Sequence, residues 1–136
     1  MPVISNWDDD AHTIIRNDFI PPWTWPEMVN ISKESYAKIA QLTERGDIIA
    51  NGWTNLPPGN AMNAFRQVDV MPENLGLLVL VAPEQSIVGR TLINTYLQIS
   101  RVRSRSSRVI FVSTLEEARA LIKGERLKGK TSGTRL

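Results

Sequence analysis

The sequence predicts a single α/β domain with a four- to five-stranded, mostly parallel sheet and helices on both faces. Strand-like and helix-like segments alternate along its 136 residues, a length typical of one domain. Residues 75–82 (LGLLVLVA) are nearly all apolar, as expected of a central strand covered on both faces. Hydrophobic residues make up 42% of the chain and charged residues 22%, which is the balance of a soluble globular core.

The first predicted strand and helix lie in the N-terminal third of the chain. Residues 12–20 (HTIIRNDFI) have the mixed polarity of an edge or half-exposed strand. Thr24 predicts a helix N-cap, because Glu27 follows three residues later and completes a capping box. Apolar residues then recur at helical spacing until Gly46, which favours the end of the helix.

Two further strand–helix pairs follow. Residues 47–51 (DIIAN) predict a short strand, and residues 60–68 have helical composition after a loop rich in turn formers. The apolar strand at residues 75–82 is followed by an amphipathic helix predicted at residues 86–102. Because the helices lie between strands, the connections predict parallel pairing with right-handed crossovers.

A last strand and helix complete a predicted β-α-β-α-β-α-β-α order. Residues 108–112 (RVIFV) read as a strand, and Thr114 with Glu117 repeats the capping-box signal for a helix that ends near Gly124. The predicted organisation is an N-terminal extension (residues 1–11), an α/β domain (residues 12–124) and a basic, disordered tail (residues 125–136).

Charge is unevenly distributed along the chain. Residues 1–100 carry 11 acidic and 6 basic side chains, whereas residues 101–136 carry 10 basic and 3 acidic ones. The arginines at positions 101, 103, 105 and 108 alternate with serines and predict an exposed connection. A nucleic-acid-binding segment usually adds aromatic residues to such a stretch, and none accompany these arginines, so nucleic acid is not the expected partner.

Catalytic constellations are largely absent from the sequence. There is no cysteine, and His12 is the only histidine. The acidic run of residues 8–10 precedes the first predicted strand and reads as a solvated segment rather than a cation site. Phosphate-cradling glycine loops and nucleophile elbows are also missing. We therefore expect no enzymatic activity, no metal and no cofactor.

The carboxyl edge of the predicted sheet is the candidate binding site. Loops that leave the carboxyl ends of parallel strands meet at one edge, where partners and ligands bind. Tryptophan is a favoured anchor there because it buries a large area and carries one donor. The candidate residues at this edge are Trp23, Asn51, Trp53, Thr54, Asn55, Leu56, Gly59 and Asn60.

Four stretches resemble the STAS domain, the fold of bacterial anti-sigma-factor antagonists, in a divergent stand-alone form. They are FIPPWTWPEM at the first strand-to-helix junction, DIIANGWTNLPPGNAMNAF, VMPENLGLLVLVAP and RVIFVSTLEEARALI. The likeness covers residues 12–123. It implies the α/β order given above and a non-enzymatic regulatory or protein-interaction role.

The chain departs from the STAS pattern at one functional point. In anti-sigma-factor antagonists an Asp-Ser-Ser/Thr-Gly motif carries a phosphorylated hydroxyl at a helix N-terminus. The matching stretch here is Leu56-Pro57-Pro58-Gly59, in which prolines stand where the hydroxyls would be. Proline has no hydroxyl to phosphorylate, so this switch cannot operate at that place.

Two functions remain open at this point. The first is a cytoplasmic regulatory module, monomeric or weakly dimeric, that binds another protein. The alternative is a binder of a small ligand or lipid in a pocket beside Trp53 and the LPPG loop. No apolar run reaches the roughly 20 residues of a membrane helix, and no secretory signal is expected.

Overall fold

The computed structural model describes residues 3–54, 56–82, 91 and 108–134, with side chains to residue 128 in the last helix. Within this part of the chain, five strands form one sheet in the spatial order β1-β2-β3-β4-β5. Only the β1–β2 pair is antiparallel, and the other three pairs are parallel. The strands are β1 (Val3–Trp7), β2 (Ile14–Phe19), β3 (Gly46–Asn51), β4 (Leu75–Val81) and β5 (Val109–Val112). A single, mostly parallel α/β domain is thus confirmed.

Three described helices cover the two faces of the sheet. They are α1 (Trp25–Ala40), α2 (Ala61–Gln67) and α3 (Leu115–Thr134). Helices α1 and α2 pack on the same face, because successive right-handed crossovers in one direction leave their helices on one side. Helix α3 packs on the opposite face against β3, β4 and β5. The helix predicted at residues 86–102 lies outside the described residues, apart from Thr91.

Strand β4 has the two-sided burial that its composition predicts. It lies between β3 and β5 and presents Leu78 and Leu80 to the α1 face and Leu77, Val79 and Val81 to the α3 face. Both faces are covered, which explains why polar residues are missing from this segment.

The predicted capping box opens α1. The Thr24 hydroxyl accepts a hydrogen bond from the Glu27 backbone N–H, and the Glu27 carboxylate accepts one from the Thr24 backbone N–H. Thr114 accepts the corresponding bond from the Glu117 N–H at the start of α3. Two orphan backbone donors at the start of α1 are therefore satisfied by neighbouring side chains.

Residues 1–11 were expected to extend outside the domain, and that expectation is wrong for the described part. Val3–Trp7 forms β1, which pairs with β2 from Val3↔Phe19 to Trp7↔Ile15. The hairpin turn places His12 at a positive φ of 56° with its ring stacked on Trp7. The described elements therefore begin β-β-α rather than β-α, with a five-residue edge strand of mixed polarity in first place.

Asp8 and Asp9 are ordered by the fold instead of solvated. Asp8 accepts hydrogen bonds from Arg119 Nη2 at 2.8 Å and from Arg16 Nη1 at 2.7 Å. The bonds from Arg119, and then those from Arg16, lower the pKa of Asp8 despite its burial. Burial opposes ionisation of Asp9, but hydrogen bonds from Thr13 and Ile14 outweigh it and lower the pKa of Asp9.

Because of Asp8, we expect the free energy of unfolding to depend on pH in the acidic range. Because its folded pKa lies below the unfolded value of about 3.9, its contribution is complete above that value and disappears as pH falls through the folded pKa. The stability difference between the parent and Asp8→Asn should therefore shrink between pH 6 and pH 2 in urea unfolding. Asp10→Asn, at an exposed position, is the control. A difference that stays constant with pH would contradict the assignment.

The disordered tail expected at residues 125–136 is also corrected. Helix α3 continues to Thr134, and Arg126 donates hydrogen bonds to the Asp47 carboxylate at 2.9 Å and to the Thr13 hydroxyl at 2.9 Å. Asp47 is fully buried and also accepts from Arg45 and from the Leu77 backbone N–H. Although this segment has no continuous apolar face, the ion pair between Arg126 and the buried Asp47 of β3 fixes it to the domain.

Candidate functional site

An aromatic cluster fills the carboxyl ends of β2 and β3. Trp23 lies 5.3 Å from Trp53 and 5.2 Å from Trp25 between ring centroids, and Phe19 and Phe65 complete the cluster. Trp23, Trp25 and Trp53 therefore meet at one end of the sheet. Trp23 and Trp53 are only 2% and 3% exposed, so they are core residues and offer no exposed anchors.

The loop after β3 is folded back onto this cluster. Gly52 has a φ of 85°, and a Cβ there would lie 2.6 Å from the Phe19 carbonyl oxygen. This bend aligns the Trp53 backbone N–H with the Val81 carbonyl at 3.0 Å. The Trp25 indole N–H donates to the Pro57 carbonyl at 3.1 Å, which fixes the LPPG stretch. Glycine is required at position 52 because a side chain would clash with the backbone of β2.

Two of the other candidate residues, Asn51 and Asn60, have hydrogen-bond partners within the domain. Asn51 donates to the Asp18 carboxylate at 2.8 Å, and Asn60 caps α2 by accepting from the Asn63 N–H at 3.0 Å. Leu56 packs against the aromatic cluster, while Thr54 and Gly59 lie in the loop around it. Asn55 lies outside the described residues, as do the arginines at 101, 103 and 105. Arg108 donates to the Pro72 carbonyl at 3.5 Å.

A pocket of about 90 Å³ lies between α1, α2 and the sheet. It shares Trp53 with the predicted site but extends under α1 along the sheet face, away from the loop edge. Helix α1 contributes residues at the i, i+4, i+7 and i+8 positions from Met28, which all point to this side. The described lining is Asn17, Phe19, Met28, Ser32, Ser35, Tyr36, Ile48, Ala50, Trp53, Phe65, Val68, Asp69, Met71, Leu78, Leu80 and Val109.

Two buried polar atoms in this lining have no hydrogen-bond partner among the described residues. Asn17 is 3% exposed and donates from Nδ2 to the Ser35 hydroxyl at 3.0 Å, but its Oδ1 accepts no bond. The indole N–H of Trp53 is also unpaired. Two hydroxyls of the lining do have partners: Ser32 donates to the Met28 sulfur, and Tyr36 donates to the Val68 carbonyl. Among the described lining residues, the unpaired buried polar atoms are thus one acceptor, Asn17 Oδ1, and one donor, Trp53 Nε1.

Asn17 and the part of the pocket that lies under α1 were not predicted from the sequence, although a pocket beside Trp53 was. Asn17 lies between Ile15 and Phe19, which share its face of β2, so the alternation places a polar side chain toward the core. That misplaced polarity is the available signal, because a buried amide needs partners. We interpreted the segment as a half-exposed strand, in which an asparagine needs no explanation.

The described residues contain no group of three histidine, cysteine, aspartate or glutamate side chains placed to hold a metal ion. Among the helices that the structure describes, none combines the length and apolarity needed to cross a membrane. Comparison with protein-family models, with curated protein sequences and with solved structures gives no match. The resemblance to STAS domains therefore stays a prediction.

Proposed function

We propose that this chain is a non-catalytic binding domain whose pocket between α1, α2 and the sheet takes up a small, mainly apolar molecule. The observation that carries the proposal is an apolar pocket in which two buried polar atoms, Asn17 Oδ1 and Trp53 Nε1, are left unpaired. Binding sites typically combine apolar walls with a few convergent polar groups, and this lining has that character.

The pocket volume limits the ligand to a small molecule or a small part of a larger one. A single water needs about 10–15 Å³ of such space, and a cavity of about 150 Å³ holds benzene. The 90 Å³ found here is several times the first value and below the second. A ring of benzene size would therefore bind with slight movement of the flexible Met28 and Met71 side chains.

The first function considered, a regulatory module that binds another protein, gains no support from the two tryptophans. Trp23 and Trp53 were expected to anchor a partner, and interface anchors need to be accessible before binding. Their rings contact each other and neighbouring aromatic residues inside the domain. A regulatory role remains compatible with the proposal, with occupancy of the pocket as the signal.

Toluene is a suitable first probe, and Ala50 gives the variant that tests the site. Ala50 is 6% exposed on β3 and lines the pocket, so Ala50→Leu adds three carbons to the space that a ligand would occupy. Toluene should shift the amide resonances of pocket residues in the parent, and Ala50→Leu should weaken its affinity at least tenfold.

The control is Ala37→Leu, which adds the same group at an exposed position of α1 and should bind toluene like the parent. If Ala50→Leu is not folded, as judged by the loss of a cooperative unfolding transition, Ser32→Leu is used to fill the pocket from the α1 side. Equal toluene affinity in the parent and in a folded pocket-filling variant would overturn the proposed function.

A further inference from the structure

The unpaired oxygen of Asn17 specifies the polar group of the ligand. The amide nitrogen of Asn17 is engaged by Ser35, which leaves Oδ1 as the acceptor. Few buried polar atoms in a folded domain lack a partner, and those that do indicate a water or a ligand. A donor is therefore missing opposite Asn17 Oδ1.

A lone water would find few hydrogen-bonding partners on the sheet side of Asn17. A buried water typically needs about three hydrogen-bonding partners. The residues beside Asn17 on the neighbouring strands are apolar: Ala50 pairs with Asn17 on β3, and Leu80 pairs with Ala50 on β4. A donor carried on an apolar body would satisfy Asn17 and also fill the space beside these side chains.

The charges among the described residues of the pocket favour a neutral ligand over an anionic one. The described lining contains no lysine, arginine or histidine, and its only carboxylate is Asp69. An anion placed beside these described residues would gain no opposite charge from them and would lose its hydration. The donor should therefore come from a neutral group rather than from a ligand that also carries a carboxylate or phosphate.

We infer that the pocket recognises an uncharged alcohol or phenol whose hydroxyl donates to Asn17 Oδ1. This inference rests on the proposed function and names the class of its ligand. A hydroxyl is also an acceptor, so it suits a lining that holds the unpaired Trp53 N–H as well. The aromatic rings of Phe19, Trp53 and Phe65 favour a flat, apolar body attached to that hydroxyl.

Phenol and anisole are the matched probes, because methylation of the oxygen removes only the donor and adds one carbon. Both are titrated by NMR into the parent, Asn17→Leu and Asn30→Leu. Leucine has the shape of asparagine without its polar atoms. The phenol-to-anisole affinity ratio should fall about tenfold in Asn17→Leu, as expected for a lost hydrogen bond to a buried acceptor.

Asn30→Leu is the control, since it makes the same substitution at an exposed position of α1 outside the described pocket lining. Its phenol-to-anisole ratio should stay within about twofold of the parent ratio. If Asn17→Leu fails to fold, the double variant with Ser35→Ala removes both members of the Asn17–Ser35 bond and leaves neither unpaired.

The outcomes separate the two proposals. Binding of both probes with a ratio that falls only in the Asn17 variant supports the inference. Binding of both probes with the same ratio in all variants overturns the role of Asn17 and leaves the proposed function standing. Failure of phenol, anisole and toluene to bind the parent at millimolar concentration overturns the proposed function, and the inference with it.

Discussion

Arg126→Ala is expected to destabilise the domain by about 2–3 kcal/mol, although the residue lies near the C-terminus. Its guanidinium lies 2.7 Å from the carboxylate of Asp47, whose side chain is 0% exposed. Removing one partner of a buried ion pair costs about 3–5 kcal/mol. We expect less here because Arg45 remains on Asp47 at 2.9 Å and Arg126 is partly exposed.

Thermal and urea unfolding measure this effect, with a shift of the melting temperature on the order of 10 °C. Lys128→Ala lies on the same helix at an exposed position and should change stability by less than about 0.5 kcal/mol. A chain ended after Gly124 should lose about as much stability as Arg126→Ala. Parent-like melting of both would show that α3 is not held by Asp47.

Trp53→Ala should cost about 3–5 kcal/mol, the range for truncating a fully packed aromatic residue. Its ring contacts Phe19, Trp23 and Trp25 at centroid distances of 5.7, 5.3 and 6.0 Å, so alanine would leave a large cavity in the centre of the aromatic cluster. Domains of this size are stable by about 5–15 kcal/mol, so the variant would be close to unfolding.

Trp53→Phe is the matched control for packing. It keeps an aromatic ring and removes the unpaired indole N–H, so its smaller size is partly offset by the loss of a buried orphan donor. Equilibrium urea unfolding should give a cost below about 2 kcal/mol for phenylalanine. A small cost for alanine as well would mean that Trp53 is a surface cover rather than a core residue.

The parts of the fold that were predictable are those encoded within short segments. The capping box at Thr24 and Glu27 lies within four residues, and the apolar run of β4 requires cover on both faces whatever lies around it. Segments that depend on distant partners were not predictable in the same way. Strand β1 is only five residues long and of mixed polarity, and Asp8, which directly follows it, contacts Arg119 111 residues away.

The same distinction applies to the site. Parallel pairing brings the carboxyl ends of β2 and β3 side by side, and it therefore predicts that the tryptophans after these strands meet. Their burial depends on how α2 and the LPPG loop close over them. The role of Asn17 depends on its hydrogen bond to Ser35 of α1, which lies 18 residues further along the chain. No local sequence pattern encodes this contact.

The most direct test of the pocket is the location of bound phenol in the parent chain. Intermolecular nuclear Overhauser effects, measured with phenol in excess over a labelled protein, report which side chains lie within about 5 Å of its ring. The account predicts contacts to Met28, Ala50 and Trp53, which line the pocket from α1, β3 and the loop after β3. Contacts confined to exposed side chains such as Ile4 and Val70, with none to these three, would contradict it.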